Sequence, residues 1–394
     1  MGKGKKVAMI AGIVVVALIV AAGVALAVYV DNNRHGEERD LERAFAAGFT
    51  EKQLEVAVEA PAVAEQAAAE NDAAAAQSGA EAVDDGQRTP RTAVINYAEG
   101  PDNGPALLLV HGQSTEWEDY ARALPDLAQR YHVFAVDCFG HGESTHDPAL
   151  YSLAAQGAAL QAFAAQAIGG SYTVTGQSSG GIVAAWLAAN DAENVTACLL
   201  EDPPFFRVTP EEMQQAPGCF VWEDGFTVTH AFLNQDEVDD YAVYYAQHSY
   251  LFGLFGGLQP KIAEWTAEER AANPDGHLVV SWVPHDWVRG MYFFDDFDVW
   301  FSEAFYTGSF FDGVDQADIL SRITCPTVYL KANTRYGEDG LLYAANSDED
   351  AARVEKLVAT CQTVRIDSGH DIHYERPKTF ADAVDRAASV ASAK

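Results

Sequence analysis

Residues 172–181 read Tyr-Thr-Val-Thr-Gly-Gln-Ser-Ser-Gly-Gly, and this stretch decides the fold. An apolar, β-branched run at 172–175 meets Gly176. A helical pattern follows at once in Ile182, Val183, Ala184, Ala185, Trp186 and Leu187. Strand, tight turn and helix in that order hold one side chain at a strained, exposed apex. Glycine removes a Cβ where strand and helix nearly collide. Two serines occupy the turn, but only Ser178 has glycine at both −2 and +2. Gly-x-Ser-x-Gly is a weak signal by itself, since both residue types are common. Its setting between strand and helix gives it specificity.

Outward from this turn, strand and helix patterns alternate from about residue 91. Strands are expected at 106–110, 132–136, 172–175, 195–200, 327–330 and 363–367. Helices are expected at 119–129, 152–167, 180–190, 349–359 and 377–392. The strands are continuous apolar runs, which suits an α/β fold with a mostly parallel sheet covered on both faces. Residues 203–320 break the rhythm. Within them, 205–311 hold 25 of the chain's 43 aromatic residues. This density predicts an inserted, mainly helical cap over the C-terminal edge of the sheet, with most rings packing on each other and a few lining a cavity.

The 394 residues carry 58 acidic against 25 basic side chains, a formal charge of −33. Such a surface argues against nucleic acid as a partner and against a domain lying flat on anionic lipid. Residues 7–30 carry no charge over 24 positions, with Lys3, Lys5 and Lys6 before them and an acidic stretch after. At about 1.5 Å per residue that run spans a bilayer core of about 30 Å. The positive-inside rule then predicts a single-pass N-terminal transmembrane helix, with a cytoplasmic tip and the rest of the chain outside the cell membrane. A cleaved signal ending near Ala25-Leu26-Ala27, and so a secreted chain, is the alternative. Residues 31–90 read as an Ala/Glu-rich linker, leaving 91–394 as the main domain with 203–320 as its cap. Export permits disulfides. Cys325 and Cys361 open two strands in the same apparent register, so either a bond between them, contributing about 3–4 kcal/mol, or two free thiols fits the pattern.

Four segments together resemble the α/β-hydrolase superfamily over 91–394: Leu107-Leu-Leu-Val-His111-Gly112-Gln113, Asp137-Cys-Phe-Gly140-His141-Gly142-Glu143-Ser144, the Ser178 turn, and Ser368-Gly369-His370. They occur in the family's order and spacing, and the cap falls where the family inserts lids. The resemblance implies Ser178 as nucleophile and His370 as the base that takes its proton. It assigns the oxyanion hole to the backbone N–H groups of Gln113 and Ser179. His111 and His141 read as turn structure. The acid departs from the usual pattern. After the strand at 327–330, where the family most often places it, carboxylates appear only at Glu338 and Asp339. A second family location follows the strand at 195–200, and there stand Glu201 and Asp202. Asp202 is preferred, with Glu201, Glu338 and Asp339 open.

The implied function is a serine hydrolase with a catalytic triad, of the carboxylesterase or lipase type. It would cleave a small, moderately apolar ester through an acyl-enzyme. A C–C bond or amide hydrolase, or a non-catalytic binding module on the same scaffold, remains compatible with these residues. No metal is expected, since His285-Asp286 and His370-Asp371-Ile372-His373 lack a third ligand. No cofactor is expected either, since no dinucleotide or phosphate-loop fingerprint is present.

Overall fold

The computed structural model describes residues 3–61, 88–213, 218–274, 276–281, 283 and 285–392. Eight strands form one sheet: β1 (Thr50–Pro61), β2 (Arg88–Glu99), β3 (Ala106–Val110), β4 (His132–Val136), β5 (Tyr172–Gln177), β6 (Val195–Glu201), β7 (Thr327–Lys331) and β8 (Cys361–Arg365). Their order is β1-β2-β4-β3-β5-β6-β7-β8. β1 and β2 pair antiparallel, β2 meets β4 antiparallel, and every other neighbouring pair is parallel. Strand order reverses around β3, and the C-terminal ends flanking such a point form a crevice where ligands bind.

The side-chain period of two sorts one strand into two cores. Leu108 and Val110 join a layer with Leu160, Ile182 and Val183. Leu107 and Leu109 join the opposite layer with Trp117, Tyr120 and Phe380. All six expected strands form, the last of them at Cys361–Arg365, two residues earlier than the expected 363–367. The expected helix at 119–129 instead divides into a 3₁₀ turn, Trp117–Tyr120, and one α turn, Leu124–Leu127. Pro125 sits in the first turn of the second piece, where its missing N–H is harmless; inside a continuous helix it would break the ladder.

The largest departure lies before residue 91. Residues 50–61, expected within the linker, form β1 and pair with all of β2. Val56 and Val58 are buried against the main core. A single helix, α1 (Lys3–Ala46), precedes them. Two residues past its end, Gly48 has φ of 99° and turns the chain, and Ala44 and Phe49 on either side of it join the second core. Ahead of that turn, Asn33 Nδ2 donates to the carbonyls of Ser281 (3.0 Å) and Val283 (2.9 Å) in the cap. The rest of the expected linker, 62–87, lies outside the described residues. Among the described residues no helix is long and apolar enough to cross a membrane. Of the expected span at 7–30, the side chains of 7–19 lie outside the described residues, while Val20, Val24, Leu26 and Val28 are each more than half exposed.

The cap is a set of short helices, among them Tyr241–His248, Gln259–Ala272 and Trp300–Thr307. Its rings do pack on one another, as in Phe226–Phe305 (4.9 Å between centroids) and Phe305–Phe310 (3.9 Å). Backbone bonds from Gly142 N to Asp296 O and from Asp298 N to Gly140 O, both 2.8 Å, stitch it to the base.

All five cysteines are free thiols. The shared register expected for Cys325 and Cys361 is offset: Cys361 stands opposite Thr327, and Cys325 precedes β7 by two residues.

Candidate active site

β5 delivers Ser178 to the crevice at its C-terminal end. The serine has φ of 52°, in the left-handed region that L-residues avoid, and it is buried to 8% exposure. The flanking glycines make this possible. A Cβ on Gly176 would stand 2.1 Å from Gly180 O, and one on Gly180 would stand 2.1 Å from His111 O. The helix Ser178–Asn190 starts at the serine itself, so its first N–H groups have no intrahelical acceptor and face outward.

β6 ends at Glu201, and the next residue turns into the site. Asp202 has φ of 46° and no solvent exposure. Its Oδ2 lies 2.8 Å from His370 Nδ1. Its Oδ1 accepts from Ala332 N (3.1 Å) and Asn346 Nδ2 (3.2 Å), with the Lys331 ammonium at 3.7 Å. Asn346 also donates to Pro203 O at 3.0 Å, fixing the chain just past the carboxylate. Burial pulls the His370 imidazole down, but its hydrogen bond to Asp202 and that carboxylate's charge outweigh the burial. The ring therefore stands above its ordinary value of 6.5.

The other candidate acids go elsewhere. Glu201 accepts from the backbone N of His373 (2.7 Å) and lies 2.9 Å from its Nδ1. Asp339 is exposed and accepts from Tyr250 Oη at 2.8 Å, and Glu338 is exposed beside it. Neither can orient a histidine that already faces Asp202. His111 and His141 brace turns, as read from the sequence. His111 Nε2 accepts from Cys138 N (2.9 Å), and His141 Nε2 accepts from Ser114 N (3.1 Å). Burial holds His111 down at about 4, so it stays neutral.

Two side chains that sequence reasoning passed over knit the site together. Gln177, just before the serine, donates from Nε2 to Asp371 Oδ1 (2.9 Å), just after the histidine. Its Oε1 packs where a Cβ on Gly112 would be, 2.0 Å away, so three loops meet at one amide. Gln113, singled out for its backbone alone, also donates from Nε2 to the cap at Ser302 Oγ (2.7 Å) and Gly225 O (3.2 Å). Gln177 stands beside Ser178 in the sequence, but nothing there marks Asp371 as its partner.

Ser178, Ser179, Gln113 and His370 line one cavity of about 170 Å³ under the cap, walled by rings such as Phe220, Phe226 and Phe294. A second cavity of about 570 Å³ shares Phe220, Val221, Trp287 and His370 with it and reaches Asp202. Among the described residues no group of three potential ligands could hold a metal ion.

Comparison with known proteins agrees with this fold. The model described as the alpha/beta hydrolase family matches residues 107–383. The chain belongs to the alpha/beta hydrolase family. Within it, a human serine hydrolase-like protein is 29% identical over 119 residues, 30% of this chain and 59% of the relative; the human serine hydrolase-like protein 2 matches equally over 38% of its length. The chain thus spans well under two thirds of these curated relatives. Among solved structures, a membrane phospholipase A described as a bacterial virulence factor is 18% identical with a TM-score of 0.53, covering 98% of both chains. A thermophilic esterase from Thermogutta terrifontis is 17% identical with a TM-score of 0.52, covering 76% of this chain and 94% of its own. At such identities these structures bear on the fold alone. They are hydrolases of the same architecture.

Proposed function

We propose that this alpha/beta hydrolase is a serine hydrolase that cleaves an ester-type acyl bond through an acyl-enzyme on Ser178. The 2.8 Å contact between His370 Nδ1 and Asp202 Oδ2, with His370 and Ser178 lining one cavity, carries the reading. Ser178 Oγ attacks the acyl carbonyl carbon while His370 Nε2 takes its proton, and the π pair moves onto the carbonyl oxygen. Asp202 keeps the ring oriented and stabilises the imidazolium. The N–H groups of Ser179 and Gln113 hold the oxyanion, each contributing about 3 kcal/mol. Collapse breaks the C–O bond, and His370 returns the proton to the leaving alcohol. Water, deprotonated by the same imidazole, then releases the carboxylic acid and regenerates Ser178.

The aromatic walls favour a small, moderately apolar acyl group. Turnover of p-nitrophenyl esters is expected to rise from acetyl to butyryl, and a fall along that series would remove the apolar-acyl assignment. The chemistry is tested by labelling with a fluorophosphonate. The intact protein is expected to take one label and Ser178→Ala none; an unlabelled intact protein would overturn the reading.

The enzyme is further proposed to be anchored by α1 with its catalytic domain outside. The uncharged run at 7–30, the lysines before it and the exposed apolar side chains from Val20 to Val28 support this. The alignment to the membrane phospholipase A covers 98% of this chain and so takes in α1. Extraction from membranes only by detergent, with external protease reaching the catalytic domain, is the expected result. Release into the medium of a shortened chain would favour signal cleavage.

A further inference from the structure

The C-terminal part of α1 reaches, through two arginines, the segment that follows His370. Tyr374 lies four residues after His370, in the short turn Ile372–Glu375. Its ring is sandwiched between two guanidinium groups, Arg122 at 3.7 Å and Arg289 at 4.0 Å from the ring centroid. Cations stacked on a buried ring are attracted by its quadrupole. Each of these arginines is held by a carboxylate from α1. Asp40 Oδ2 accepts from Arg122 Nε at 2.8 Å, and Arg122 also donates to Tyr374 O at 3.1 Å. Glu37 takes Arg289 through both oxygens, at 2.7 Å from Nε and 3.1 Å from Nη2.

From Arg289 the chain of charges runs on toward the acid. Its Nη1 donates to Asp119 Oδ1, and its Nη2 donates to Asp119 O at 3.0 Å. Asp119 Oδ2 lies 3.2 Å from His373 Nε2, and His373 Nδ1 lies 2.9 Å from Glu201, the neighbour of Asp202. Glu37, Arg289, Asp119, His373 and Glu201 are all at most 5% exposed. Removing one partner of such a buried set leaves an uncompensated charge, which strongly disfavours the present arrangement. Arg289 also sits in the cap between Val288 and Gly290, both of which line the catalytic cavity.

We propose that Glu37 on α1 is a positioning residue for catalysis, acting through Arg289 and Tyr374 to hold the loop that carries His370. α1 is then part of the active-site scaffold as well as a lead-in segment. This rests on the serine-hydrolase reading, because the step it sets is proton transfer at His370. A misplacement of about 1 Å at such a group costs on the order of 100-fold in rate.

The test uses the full chain with Glu37→Gln, Glu37→Asp and Asp40→Asn, each titrated with a fluorophosphonate so that activity is counted per labelled Ser178. Glu37→Gln is expected to lose at least about tenfold in kcat per titrated site with KM within about twofold, and Glu37→Asp to recover most of it. Asp40→Asn, which loosens the other face of Tyr374, is expected to lose kcat in the same way and carries the test should Glu37→Gln not fold. A kcat per titrated site within twofold of the unaltered protein, or a loss confined to KM, overturns the proposal. An unaltered protein that takes no label overturns the hydrolase reading and this inference with it; a labelled one with an indifferent Glu37→Gln overturns this inference alone.

Discussion

Asp202 reaches His370 because its backbone adopts a left-handed turn (φ 46°) directly after β6. Asp202→Asn is therefore expected to cost on the order of 10⁴ in kcat, since an amide supports the wrong imidazole tautomer. Glu338→Gln and Asp339→Asn should stay within about twofold, because both side chains are exposed and Asp339 is engaged with Tyr250. The pH profile follows from the same contact. In the proposed mechanism His370 acts as base only when neutral, and Asp202 holds it above its ordinary 6.5. So kcat/KM should rise with pH through an apparent value above 6.5, and loss of the Asp202 charge should move that limb to lower pH. A limb unmoved in Asp202→Asn would show that another group sets it. Ser178 and His370, the proposed nucleophile and base, were legible as residues. The acid was legible only as one of four carboxylates, because its choice depends on the direction in which β6 ends.

At the scale of elements, β1 is the main surprise. Its polar alternation with Lys52, Gln53 and Glu55 resembles linker composition, and only the pairing with β2 reveals that Val56 and Val58 face a core. Val56→Ala should lower stability by about 1.6 kcal/mol from two buried methyl-sized groups, read as a shift in the urea midpoint. No shift would mean that β1 unfolds apart from the sheet. The start of β1 and the turns after β3 and β4 also enclose an acidic cleft of about 600 Å³ that includes Glu51, Glu116, Glu118, Asp137, Glu143 and Asp296. Burial and then mutual repulsion raise Glu118 to about 8, and burial raises Asp137 to about 7. Carboxyls whose folded value is raised bind more protons folded than unfolded, so stability must fall as pH climbs from their ordinary range toward 8. Glu118→Gln should flatten Tm across pH 5 to 8; an unchanged slope would assign it to other groups.

For the whole molecule, the formal charge of −33 sets a background of self-repulsion. Raising ionic strength from about 0.01 to about 0.15 M shortens the Debye length from about 30 to about 8 Å. An upward shift in Tm is expected over that range, and a flat response would mean that local ion pairs already neutralise the field. The cap belongs to this scale too. It was legible as an interruption rich in aromatics, yet its attachment through Gln113, Gly140, Gly142 and Arg289 was not. Such contacts join residues more than 100 positions apart and leave no local period to read.

The sequence by itself determined the alternation of strand and helix, the parallel sheet, the inserted cap and the strained turn at Ser178. These rest on short-range rules, namely apolar period, glycine sterics and turn chemistry. Tertiary structure alone decided which carboxylate meets His370, that Cys361 faces Thr327 instead of Cys325, and that the C-terminal part of α1 and β1 pack on the folded domain. Each of those depends on register and on burial of charge between distant segments. The Ser178 turn could be read because everything it requires lies within ten residues, whereas its partners are chosen by where the strands end in space.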